Sequence, residues 1–245
     1  MLIITSLWAQ DTRMVSIKRG TYIPLYGTTD KKPVTVNDFY LDVYPVTNAQ
    51  YLEFLKRNPE YTQSKIKGIF ADKSYLSHWE NNYSYGKKNL SNAPVTNISW
   101  FAAKKYCECQ GKRLPTMDEW EYAAMADEKR IDARSKEEFN KYILSWYEKS
   151  QTYANPVGKT FKNYWGVWDM HGLVWEWTSD FNSIFLSGES RKDKETDKNL
   201  FCGSGSVNAS DLMNYAAFMR YGFRASLKAK YTTINLGFRC AKDSK

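Results

Sequence analysis

The chain carries only two histidines, His78 and His171, in 245 residues. An iron site built on three histidines therefore cannot form within one copy of it. None of its four cysteines forms a C-x-x-C pair, so the usual spacing of a metal-binding thiol pair is missing as well. Positive charge is not concentrated either. The 35 Lys+Arg outnumber the 27 Asp+Glu for a net +8, which favours anionic partners in general. Yet Lys31, Lys32, Lys87, Lys88, Lys104, Lys105, Lys228 and Lys230 are scattered, with no helix-turn-helix or zinc-finger spacing. A solvated basic surface is expected and a nucleic-acid partner is not. No apolar run is long enough to span a membrane. Linkers, internal repeats and low-complexity segments are also missing, which points to one domain.

What is abundant is aromatic: nine Trp, 18 Tyr and 12 Phe, 16% of all residues. With 25% charged residues this is the composition of an ordered globular protein. At the start, MLIITSLWAQ before Asp11 reads as the tail of a secretory signal peptide without its basic region, or else as a buried first strand. Taken as a signal remnant, residues 1–10 set a periplasmic or secreted address for a domain running from 11 to 245. An even number of cysteines in such a protein allows two disulfides. Cys107 and Cys109 would lie about 200° apart on a helix, so each needs its own partner.

Short β-rich runs separated by turn residues between Val15 and Tyr44 predict strands. Thr47-Asn48-Ala49-Gln50 is a capping box that starts a helix at Asn48, which stops near Pro59. Residues 60–96 have no period and predict a long irregular insertion. Ser99 caps WFAAKKYCECQ, Thr116 to Glu119 opens WEYAAMA, and Ser135 to Glu138 precedes FNKYILSWYEK. Beyond residue 150 the pattern predicts loops with short strands at best. The sum is a single α+β domain of low regular secondary structure, held by tryptophan packing, disulfides or ions.

Four stretches, FYLDVYPVTNAQYLEFL, PVTNISWFAAKKYCECQGKRLPTMDEWEYAA, YWGVWDMHGLVWEWTSDF and the GSGS loop with RYGFRAS and NLGFRCA, together resemble the formylglycine-generating enzyme (sulfatase-modifying factor) family. The resemblance runs from about Met14 to the C-terminus. It implies that family's fold, related to C-type-lectin-like domains. It also implies an oxidase ancestry in which copper, held by two cysteines, converts a cysteine of an exported sulfatase to formylglycine. Soft thiolates suit Cu(I). Here the motif preceding the copper cysteines corresponds to Ser204-Gly205-Ser206, and the cysteine positions fall at about Ala209 and Asn214. No cysteine lies between Gly203 and Arg239. The resemblance therefore implies a member without the family's copper chemistry, and copper is not expected.

The same resemblance places a calcium ion on Asp169, Gly172, Val174 and Glu176, two carboxylates and two carbonyls, a plausible hard-ion set. The plainer reading is a turn capped by Asp169 with Glu176 in a surface ion pair. It implies a disulfide between Cys107 and Cys240. Cys109 and Cys202 match no family cysteine and are open to three readings: a second disulfide, unrelated thiols, or a relocated redox or copper pair. Ser206, Asn214, Arg220 and Arg224 correspond to the family's substrate cleft, where the arginines clamp an anionic group or pair with internal acids. For His171 a hydrogen-bonded loop residue is the plain reading against a catalytic one. Trp100, Trp120, Trp175 and Trp177 are expected in the core. Small relatives accompany copper nitrite reductase systems, and the chain looks somewhat like them. The leading expectation is a pseudoenzyme that binds an exported protein or peptide in the former cleft. The alternatives are an oxidoreductase using Cys202 with Cys109 and a lectin-like module for acidic glycans.

Overall fold

A computed structural model describes residues 13–24, 32–182 and 212–244, with the side chains of residues 212–214 excepted. Cys202 and Ser206 lie outside the described residues, as does the position at Ala209.

The expected short strands form between residues 14 and 42 as β1 (Met14–Ile17), β2 (Gly20–Tyr22), β3 (Val34–Val36) and β4 (Phe39–Asp42). β2 and β3 pair antiparallel. β4 lies between β1 and β7 (Ala241–Asp243), also antiparallel, so the ends of the domain share one sheet. Among the described residues a third sheet is parallel and short, β5 (Trp175–Glu176) on β6 (Leu236–Gly237).

Helices begin where side chains can satisfy the first free amides. Thr47 and Gln50 close a capping box on α1 (Asn48–Arg57), and Thr116 and Glu119 close another on α3 (Met117–Ala124). Ser99 caps α2 (Trp100–Cys109) by accepting from the Ala102 amide. The expected box at Ser135 does not form. An Ala133–Lys136 backbone bond makes a turn there, and α4 (Glu137–Tyr147) starts after Lys136 without a side-chain cap. A larger departure is α5 (Leu212–Ala225), a helix of 14 residues where loop was expected. Its buried positions Ala216, Ala217, Arg220, Tyr221, Arg224 and Ala225 recur at helical spacing and face the protein interior. No described helix is long and apolar enough to cross a membrane.

Residues 62–99 hold no helix or strand, as their lack of period implied, yet they are not a surface appendage. Tyr75, Leu76 and Trp79 sit in the main core with Tyr51, Tyr106 and Phe238. Trp120 and Trp177 are core residues, 3% and 0% exposed, whereas Trp100 and Trp175 are half-buried at its edge. Cys107 of α2 is bonded to Cys240, just before β7, with Cα atoms 5.6 Å apart. Cys109, two residues on, is free and exposed.

Candidate functional site: a donor-lined cavity at buried arginines

Arg220 and Arg224 are one turn apart on α5, so both project from the same face. That face meets Glu121 of α3. Arg220 donates from Nε at 3.0 Å and from Nη2 at 2.8 Å to the two Glu121 carboxylate oxygens, and Arg224 donates from Nη1 at 2.7 Å. All three side chains are buried, at 8%, 4% and 7% exposure. Burial alone would raise the Glu121 carboxyl, but the two guanidiniums prevail and hold it down at about 2. One negative charge thus sits against two positive ones, which leaves the cluster net cationic.

Trp120 joins this cluster to a second one. Its ring lies 4.5 Å from the Arg224 guanidinium carbon, a cation–π contact, and its indole N–H donates to Glu176 at 2.8 Å. Glu176 is clasped by Arg239 through two bonds of 2.8 Å, and both side chains are fully buried. The remaining Arg239 donors reach the carbonyls of Asp42, Val43 and Trp168. Glu176 is therefore in an ion pair, but a core one.

Asp169 has φ +60°, a left-handed conformation that aspartate tolerates. Its carboxylate accepts from the amides of Gly158 and Thr160 and from the Thr160 hydroxyl. Gly172 follows at φ +131°, where a Cβ would stand 2.6 Å from Thr160 Cγ2 and 3.0 Å from the Trp146 ring. Both carboxylates that the resemblance offers to calcium are thus engaged by protein donors, one of them by a full opposite charge. The donor set as it stands does not fit a calcium ion, and no chemistry is routed through one. Among the described residues no group of three or more His, Cys, Asp or Glu is placed to hold a metal.

His171 is buried against the same cluster. Burial, with the positive charge of Arg220, lowers it to about 3, so it is neutral. Its Nε2 lies 2.7 Å from the Ala124 carbonyl, which can only accept, so Nε2 carries the proton.

A cavity of about 310 Å³ lies against these residues, lined among others by Trp120, Tyr147, His171, Trp175, Arg220 and Arg224. The structure thus brings Arg220 and Arg224 to a cavity wall and pairs both with one internal acid, Glu121. Asn214 lies on α5. Glu121, Tyr147 and Arg239 were not singled out in the sequence. Glu121 stands inside the EWEYAA motif, where a carboxylate amid aromatics and alanines marks a buried charge in need of partners.

The sulfatase-modifying factor enzyme 1-like domain matches residues 6–244. The chain belongs to this family. Formylglycine-generating enzyme of Mus musculus is 28% identical over 95% of this chain and 75% of its own length. Inactive C-alpha-formylglycine-generating enzyme 2 of the same animal is 25% identical over 96% of this chain and 87% of its own. PvdO from Pseudomonas aeruginosa shares the fold, with a TM-score of 0.51 at 18% identity over 94% of both chains. The family thus includes both active and inactive relatives of this chain.

Proposed function

We propose that this family member is a pseudoenzyme, an accessory or maturation factor that binds an exported protein or peptide partner at the former substrate cleft. The observation that carries the reading is chemical: no thiol lies between Gly203 and Arg239, where the family's copper-binding pair belongs. The family reaction depends on a copper ion held by two thiolates, and without the pair that ion has no site. A relative named as inactive, matched over most of both chains, supports the same reading. The cavity with its buried arginines supports retained binding.

The test uses the purified full chain without a tag. It is incubated with Cu(I) and a sulfatase-derived cysteine peptide, and bound metal and peptide mass are measured together. The expected result is no stoichiometric copper and no conversion of thiol to aldehyde. Copper with aldehyde product would overturn the reading and favour the oxidoreductase that uses Cys202 with Cys109, of which Cys109 is free and exposed. A photo-crosslinker at Gln151 on the cavity wall, with one at Glu108 on α2 as control, should trap one saturable exported adduct from Gln151 only. Copper nitrite reductase components are the first candidates. An acidic glycan adduct in its place would favour the lectin-like reading. The same metal analysis also reads calcium, for which the resemblance offers Asp169, Gly172, Val174 and Glu176.

A further inference from the structure

Arg220 and Arg239 are both buried guanidiniums bound to a glutamate, but they are finished differently. Arg239 has an acceptor for each of its three nitrogens. Arg220 uses Nε and Nη2 on Glu121, while its Nη1 is buried with no hydrogen bond. The Tyr147 hydroxyl is buried and unbonded as well. The two groups lie within reach of each other, close enough to interact, but no well-aligned hydrogen bond satisfies either of them. Leaving buried donors unmatched is costly, so such a pair on a cavity wall marks a place for an acceptor.

The acceptor's charge follows from the surroundings. Glu121 is the one carboxylate hydrogen-bonded to the two arginines among the described residues, Glu176 and Arg239 cancel each other, and His171 is neutral. Asp180 lies within electrostatic reach of Arg224 but accepts from the Met117 amide. Lys149 at the cavity adds a further positive charge. Burial raises the Tyr147 hydroxyl, so it stays protonated and can donate. Trp120 and Trp175 add aromatic surface to the wall. A volume of about 310 Å³ is at the small end of ligand sites, which run from about 300 to 1,000 Å³.

We infer that this cavity binds a carboxylate carried on a small apolar or aromatic group, with Arg220 Nη1 and the Tyr147 hydroxyl as its two hydrogen-bond donors. A planar carboxylate has two oxygens to offer them and supplies the missing negative charge. The inference goes beyond the partner reading and does not rest on it. A free acid and the carboxyl terminus of a peptide carry the same group.

Calorimetric titration of the full chain tests it, with 3-phenylpropionate, its neutral amide, and a hexapeptide ending in phenylalanine as free acid or amide. The acid should bind saturably, and both the amide and the Tyr147→Phe variant should weaken binding about tenfold or more. Tyr147→Phe removes a hydroxyl that has Arg220 as its neighbour but no well-aligned hydrogen bond, so the variant should stay folded with a melting temperature close to that of the native protein. Binding of 3-phenylpropionate alone assigns the site to a free acid, and binding of the peptide acid too assigns it to a chain terminus. Equal affinity for acid and amide, equal affinity in Tyr147→Phe, or no saturable binding of any of the acids would each overturn the inference.

Discussion

At the scale of single residues, the arginines show how far a charge pattern can be read. Arg220 and Arg224 stand four apart, a spacing visible in the sequence, but their partner is 99 residues away from Arg220 in α3. Nothing local names it. The consequence for stability is direct: Glu121→Gln leaves two guanidiniums in the core facing a neutral amide. The expected cost is about 3–5 kcal/mol, read from urea denaturation at pH 7. The pH dependence has a definite sign. Glu121 titrates at about 2 in the folded protein against an ordinary 4.5, so its contribution is complete above 4.5 and is lost as pH falls toward 2. His171, lowered to about 3 from 6.5, acts in a higher window. The unfolded chain takes that proton first, so stability falls from pH 6.5 downward, by up to about 1.4 kcal/mol per pH unit. Replacing it by His171→Gln should flatten the denaturation midpoint between pH 6.5 and 4.5, while Glu121→Gln should flatten only the range below.

At the scale of elements, helix starts were legible where a cap satisfied its own helix, and illegible where a turn intervened. Thr47, Ser99 and Thr116 each accept an amide from the first turn, as their positions in sequence imply. Ser135 has the same motif but stands before Lys136, which ends an Ala133–Lys136 turn. Thr116→Ala should therefore cost about 1 kcal/mol, and Ser135→Ala should stay within about 0.5 kcal/mol. Thermal or urea denaturation of the two variants side by side reads this, and equal losses would contradict the cap assignment. α5 was missed for a different reason. The small polar residues before it favour loop, and among its described side chains two of six buried positions are arginines, which interrupt the apolar stripe that announces a helix. A buried ion pair thus concealed the element that carries half of the candidate site.

At the scale of the whole molecule, little regular structure holds the chain, and its ends are secured by a few long-range ties. β7 adds to the sheet begun by β1, Arg239 clasps Glu176, and Cys240 is bonded to Cys107. The family and its fold were legible because the resemblance rests on motifs that supply these ties, including GKRLPT, VWEW and NLGFRCA. The partnership of Glu176 was not, since the same carboxylate could serve an ion or a guanidinium and only the packing of Arg239 distinguishes them. The disulfide closes a loop of 133 residues, for which loss of chain entropy in the unfolded state amounts to about 5 kcal/mol in the ideal case. Strain and residual structure reduce such figures, so the double variant Cys107→Ala, Cys240→Ala should lose about 2–5 kcal/mol. Because the bond joins α2 to the strand that completes the sheet, the loss should appear in one cooperative urea transition seen alike by tryptophan fluorescence and circular dichroism. Reduction of the native protein should shift that transition by a comparable amount, and a shift well under 1 kcal/mol in both experiments would show that the sheet and the Arg239–Glu176 pair hold the chain ends without the disulfide.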